Sequence, residues 1–589
     1  MKRSRIWFLF FGVLAAFLFG MIVGGFSEID ESTQTESDSG SVFSYGYTAE
    51  SLYERANKTA ASIERTGARS AIVAHHLLVA DKIAQVFAAL GTGDEKTVVI
   101  LSPNHFSQGR FAMQTTYGSW DTPGGELRVD EDAVDALRAA VPDLSLEPET
   151  FRQEHGVAAI TPFIKSWFPQ AKLVPLVIHD KATEEEVAAL ATAIKDELKN
   201  AIVIASIDMS HNLPMHIQEY HDAVTTRVIA QGSSDFDLEI DANDVLRSLF
   251  EVNRLRGTQT FTQTHHGSSL SMGATTDWKE NTSHILGYFQ EGDPVHDPFV
   301  SLHFVGDVML DRGVRTKIEE YGVDYPWENV TRYLQGSTLR IANLEGTISE
   351  KESLMTHEPP FIFTFAPEFV EAIKPFIEVV SLANNHADDY GAEGEQETRD
   401  RLTDLGIEWF GGYNSSDDVY RYDVCDESGC DFGISLIGYH QFGFPISDLT
   451  PIIEAEAGRF VIVMPHWGEE YVTAPQDHQR EMAAAMITAG ADLIVGAHPH
   501  VVQGIEVVDN VPVIYSLGNF IFDQEFDETV KGMTLGVILG TDNATLYLSS
   551  VSTMGGQPTP MSDEEAEQLL FDRNISTNPI TIFYDEPSS

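Results

Sequence analysis

Five segments in the second half of the sequence end an apolar run in side chains that can ligate metal ions. They are 304–310 with Asp307, 341–346 with Glu345, 380–386 with Asn385 and His386, 461–468 with His466, and 491–500 with His498 and His500. Each reads as a buried strand that delivers polar residues to the carboxyl edge of a sheet. His498 and His500 are two residues apart, and extended backbone turns such positions to one side, so the pair can serve neighbouring ions. Carboxylate, amide and imidazole donors suit Mn, Zn, Fe or Mg rather than a thiolate-bound ion.

The first half holds a second set, His75, His105, Glu154, His155, Asp208 and His211, again at or just past apolar segments. Any one of these histidines alone reads as an ordinary loop or core residue. Gathered at strand ends, they point to a site. His265 and His266 are further candidates without a role.

The elements that must position these residues alternate. Thr97–Leu101 and Ala201–Ala205 are short apolar strands, and Thr183 with Glu186 forms a capping box ahead of a helix with Val187, Leu190, Ala191, Ile194 and Leu198 on one face. Strands interleaved with helices predict an α/β fold. A chain of 589 residues exceeds one core, so two domains are expected, parted near Glu291–Pro298 where two prolines and several acids break the pattern. The divisions read from the sequence are 1–26, 27–54, 55–292, 298–555 and 556–589. No internal repeat relates the two large domains.

Lys2, Arg3 and Arg5 precede an uncharged apolar run over 6–26 that nearly spans a bilayer as a helix. This predicts one uncleaved transmembrane signal-anchor, basic end inside, with the bulk of the chain outside the cell membrane. Residues 27–54 read as a disordered acidic Ser/Thr-rich linker, and 556–589 as a polar tail without a fold. Acids outnumber bases 90 to 37, a formal charge of −53. That balance excludes nucleic acid as a partner and adhesion to anionic lipid, and it favours solubility. Cys425 and Cys430 bracket four polar residues that read as a hairpin tip, which a disulfide would staple in an oxidising compartment. Nothing in the sequence sets an oligomeric state.

Ser102-Pro-Asn-His105, Glu154-His155 and Ser206-Ile-Asp208-Met-Ser-His211 resemble the Memo-like family, including the B component of the AmmeMemoRadiSam system, over about 70 to 290. The resemblance implies the fold of class III extradiol dioxygenases and a site for Fe or Cu. His75 and His105 match the first two ligands, although Val73-Ala-His75-His76-Leu77 departs from the family's first motif and spacing alone separates His75 from His76. His211 with Asp208 matches a catalytic base. The family's third ligand, often a cysteine, is replaced; spacing from Gly257 points to Asp241, which gives a two-histidine, one-carboxylate set suited to Fe(II).

The second-half motifs, together with Tyr515-Ser-Leu-Gly-Asn519-Phe520, resemble the CapA family of capsule and poly-gamma-glutamate biosynthesis proteins. That resemblance implies an α/β sandwich similar to calcineurin-like metallophosphoesterases, with a dinuclear centre. Glu345 takes the bridging position, Asp307 and His500 complete one ion, and Asn385, His466 and His498 complete the other. His386 becomes the general acid. Met309 stands where the first motif usually carries a histidine, and Glu345 replaces the usual bridging aspartate. Glu469, Glu470 and Asn519 are expected to support the site. Arg312, Arg315 and Lys317 either grip a polyanion or form a solvated helix face.

The function expected is a membrane-anchored, metal-dependent hydrolase that makes or processes an anionic surface polymer such as poly-gamma-glutamate. The alternatives are a non-catalytic assembly scaffold and an iron or copper redox enzyme acting through the first half.

Overall fold

The computed structural model describes residues 41–584 except 45, 47–48, 234–235, 352, 356–360 and 427–428. The expected anchor at 6–26 lies outside the described residues. Among those described, no helix is long and apolar enough to cross a membrane.

The first half is built on an eight-stranded sheet. Its centre is four parallel strands, Lys172–Ile178, Thr97–Pro103, Ile202–Ser206 and Ser70–Val73, in that spatial order. These strands are almost wholly buried, as parallel strands covered by helices on both faces require. Ser283–Gln290 and Thr260–Ser268 extend the sheet antiparallel beyond Ser70–Val73. The helix Glu184–Glu197 carries the expected capping box and buries Val187, Leu190, Ala191 and Ile194.

The second half stacks a nine-stranded sheet on a six-stranded one. Their facing sides share one core, with Leu302, Phe304 and Ile341 from the first sheet and Leu436, Ile462 and Ile514 from the second. Helices cover the outer faces: Val314, Ile318 and Leu402 pack on the larger sheet, and Ile453, Ala483 and Met486 on the smaller. Cys425 and Cys430 form a disulfide across the tip of the Tyr420–Asp426 and Gly429–His440 hairpin.

Two boundaries differ from the sequence reading. Part of the expected linker is ordered: the helix Glu50–Ala60 buries Tyr53, Ala56 and Ala60, and Phe43 packs against Trp120. Apolar residues at i, i+3 and i+7 outweigh the acidic composition here. The expected tail also folds. Ser562 and Glu565 form a capping box for Asp563–Asp572, which buries Ala566, Leu569 and Leu570, and Ile580–Phe583 pairs with Asn543–Ser552.

The halves are docked through the helix Met215–Gln231. Tyr220 donates to the Leu302 carbonyl (3.1 Å), and Asp563 accepts from the Met215 and His216 amides (3.1 Å each). Gly536 permits the approach, because a Cβ there would stand 2.5 Å from the Tyr220 ring.

Candidate metal centres

In the second half, the strand Val300–Val308 carries Asp307 to the sheet edge beside Asn343 of Leu339–Leu344 and beside Asn519. Glu345 follows at the next position, Asn384 to His386 follow Val379–Ser381, and His466 ends Phe460–His466. The edges of both sheets thus meet at one point. Asp307, Glu345 and His466 are fully buried and place ligand atoms within 4.8 Å of one another.

The geometry falls into two neighbouring groups. His500 Nδ1 lies 3.3 Å from Asp307 Oδ2, and His500 Nε2 lies 3.6 Å from Glu345 Oε1. His466 Nε2 is 2.6 Å from Asn385 Oδ1, and the His466 and His498 rings are 4.5 Å apart. Asn343 donates to Asp307 Oδ1 (2.8 Å) and Glu345 Oε2 (3.2 Å), which occupies one oxygen of each acid. The other oxygens, Asp307 Oδ2 and Glu345 Oε1, and His498 Nδ1 are buried without a hydrogen-bond partner. Buried lone pairs left unmade are costly. Carboxylate and imidazole donors aimed at one point fit divalent metal ions, and these residues suit them.

Electrostatics agree with that fit. Burial, with Asp307 adding to it, drives the Glu345 carboxyl well above the ordinary carboxylate range. Burial pushes His498 down to about 3 and His466 well below its usual value. His500 resists burial because Glu345 and Asp307 hold it up to about 9.

His498 and His500 do not reach the site as alternating positions of a strand. Both have left-handed backbone, φ 96° and 57°, on either side of Pro499. Non-glycine residues adopt this region at a cost that surrounding structure must sustain, a pattern concentrated at functional sites. The turn replaces strand alternation because Leu493–Val495 ends before Gly496.

His386 Nδ1 is 2.9 Å from Asp389 Oδ2, its Nε2 is 4.0 Å from Glu345 Oε1, and its ring stacks on Phe363 at 4.1 Å. Asp389 and Asn343 escaped the sequence reading. Asn343 stands within the Asn-Leu-Glu motif, and Asp389 follows His386 by three residues. Asn519 receives a place: its Oδ1 is 2.9 Å from His500 Nδ1. Arg312 and Arg315 are not free to grip a polyanion. Arg312 is buried in an ion pair with Asp523, and Arg315 binds Asp311 at 2.8 Å.

In the first half, His75 follows Ser70–Val73 and His105 follows Thr97–Pro103, the two strands that flank Ile202–Ser206, and Asp241 joins them. Its Oδ2 lies 3.3 Å from His75 Nε2 and 3.5 Å from His105 Nε2. Asp241 Oδ1 is buried without a partner. His105 Nδ1 is fixed by Glu154 Oε1 at 2.6 Å. Burial pulls His105 down, but hydrogen bonds to Asp241 and Glu154 carry it up to about 10; burial pushes Asp241 up to about 7 and His75 down to about 4. His155, exposed, packs its ring 4.0 Å from that of His105, and its ring nitrogen falls within reach of His75 and His105 as a ligand. Two histidines and a carboxylate with an open side suit iron, and the set also accommodates copper.

Asp208 and His211 are not a hydrogen-bonded pair. Asp208 Oδ1 accepts from the His75 and His76 amides, and Oδ2 faces His75 Nε2 at 3.4 Å. The His211 amide donates to Glu239, while its Nδ1 has no partner. His211 instead lines a cavity of about 300 Å³ with His105, Asp241 and Arg332. Arg332 comes from the second half and reaches Glu239 Oε1 at 3.3 Å.

A family model described as "Bacterial capsule synthesis protein PGA_cap" matches residues 301–524, and one described as "Memo-like protein" matches 41–242. The chain is 32% identical over 300 residues to the PGA biosynthesis protein CapA of Bacillus subtilis (strain 168), an alignment that covers 48% of this chain and 78% of that protein. It is 31% identical over 289 residues to the capsule biosynthesis protein CapA of Bacillus anthracis, covering 45% and 70%. A MEMO1 family protein of Caldivirga maquilingensis is 30% identical over 154 residues, covering 26% of this chain and 55% of that one. Through its second half, joined to a Memo-like first half, the chain belongs to the CapA family of capsule biosynthesis proteins.

Proposed function

We propose that the second half is a metal-dependent hydrolase that processes an anionic surface polymer of the poly-gamma-glutamate type during capsule biosynthesis. The segment 6–26 holds the chain on the outer side of the cell membrane. The observation that carries the reading is the buried convergence of Asp307, Glu345 and His466, with Asp307 Oδ2 and Glu345 Oε1 making no hydrogen bond and facing the His500 ring. The names of the relatives support the polymer class.

Asp307 and His500 would hold one ion and Asn385, His466 and His498 the other, with Glu345 placed between the two groups. When bound there, divalent ions would supply Lewis-acid polarisation of the scissile group and a nucleophile at neutral pH. Asn343 keeps the outer oxygens of both acids occupied, so that the inner ones stay available. Asp389 accepts from His386 Nδ1–H, which fixes the tautomer and presents Nε2 toward the site as proton donor to the leaving group. Phe363 shields that imidazole from water.

The test is hydrolysis of poly-gamma-glutamate and of a chromogenic phosphodiester by the full chain loaded with Mn²⁺ or Zn²⁺. His466→Ala should abolish turnover in a folded protein. Unchanged turnover removes the hydrolase reading and leaves the assembly-scaffold one. A second reading concerns the first half, where the His75, His105 and Asp241 contacts support a redox centre of iron or copper.

A further inference from the structure

Behind the His75–His105–Asp241 set lies a second group that the family resemblance does not use. His76 Nδ1 and His284 Nε2 face each other at 3.0 Å, and His76, His284 and Asp208 each offer one ligand atom, all within 4.8 Å of one another. His76 follows the strand Ser70–Val73, while His284 sits in the neighbouring antiparallel strand Ser283–Gln290. His284 and Asp208 are buried, at 0% and 4% exposure. The three residues come from separate segments, so the tertiary fold, not local sequence, brings them together.

Two nitrogens bound to one ion through bonds of about 2.0–2.1 Å stand about 2.9–3.4 Å apart, from cis-octahedral to tetrahedral angles. The observed separation falls in that interval. A neutral histidine pair could share a hydrogen bond at the same distance; what sets this pair apart is a buried carboxylate, Asp208, with an oxygen in the same 4.8 Å group.

The surroundings point the same way. Gly267 pairs with His284 across the strands, and a Cβ on Gly267 would meet the His265 ring at 3.4 Å. His265 is thus folded over its own strand on the His284 side, and its Nε2 is buried without a partner. Its neighbour His266 is different: it is bound to Asp222 at 2.8 Å and has a structural role. Of the two adjacent histidines, only His265 brings an unpaired nitrogen to this side of the sheet.

We propose that His76, Asp208 and His284 form a second transition-metal site, with His265 beside it. Asp208 faces both sites: it is a donor here, and its Oδ2 is 3.4 Å from His75 Nε2 on the other side. It is therefore placed to bridge two ions, which makes the first half a carboxylate-bridged dinuclear centre. The bridging role rests on the His75–His105–Asp241 reading; ligation by His76, Asp208 and His284 does not. An imidazole-rich site of this kind takes a borderline divalent ion such as Zn²⁺, Co²⁺ or Fe²⁺.

The test uses the full chain, stripped of metal and reloaded with Co²⁺. Anomalous diffraction at the cobalt edge should give a peak among His76, Asp208 and His284 in the wild-type protein. His284→Ala should lose one bound Co²⁺ by elemental analysis, and His105→Ala a different one. A peak there without one at His75–His105–Asp241 upholds this site and removes the bridge. A peak at His75–His105–Asp241 alone, or at neither, overturns it. The wild-type map decides the matter even where a variant fails to fold.

Discussion

His386 Nδ1 lies 2.9 Å from Asp389 Oδ2, while the opposite nitrogen of the same ring looks toward Glu345 at 4.0 Å. One carboxylate therefore orients the imidazole and the other belongs to the candidate metal centre. Asp389→Asn should lower kcat by roughly 10–100-fold with metal content unchanged, and His386→Ala by roughly 10²–10⁴-fold. Elemental analysis alongside steady-state kinetics separates this from metal loss. A variant with full kcat would place the proton donor elsewhere.

Glu345 should change sign with metal occupancy. Without metal its buried carboxyl, lifted by burial and Asp307, is only partly offset by His500 once ionised. Glu345→Gln should then raise the stability of the metal-free protein at pH 8 by roughly 1–3 kcal/mol, a few degrees in Tm. In the metal-loaded protein the same change removes a ligand and should lower Tm. Calorimetry of both forms checks the crossover.

Burial lifts Glu239 to about 7, against the pull of Arg332 from the other half. A folded-state pKa above the unfolded value of about 4.3 means that stability is full below that value and is lost as pH rises toward 7. The loss from this residue should reach about 3 kcal/mol by neutral pH. Glu239→Gln should flatten the wild-type decline between pH 4.5 and 7. Parallel pH profiles for the two proteins would show that Glu239 ionises freely.

Gly536→Ala should destabilise the docked halves by about 1–3 kcal/mol, because its Cβ meets the Tyr220 ring at 2.5 Å. Chemical denaturation measures it, and Tyr220→Ala in the same chain should relieve most of the effect.

Much of this arrangement is legible in the sequence where one local segment carries both the strand and its ligand. Asp307, Glu345, His466 and the histidines of Ala491–His500 stand out for that reason. Partners on separate strands leave no such signal. His284 lies inside an apolar strand and meets His76 only through sheet pairing, and Asp389 looks like one acid among many in an acidic chain. The left-handed turn at His498 and His500 has no glycine at either position to announce it. The ordered end of the chain was hidden by polar composition, although Ser562, Glu565 and the Ala566–Leu569–Leu570 spacing carried the helix signal.

The most direct measurement is turnover of poly-gamma-glutamate by the full chain with metal content determined on the same samples. Activity should appear on reloading with Mn²⁺ or Zn²⁺ and be lost, together with bound metal, in Glu345→Gln. Equal turnover and equal metal in wild type and Glu345→Gln would contradict it.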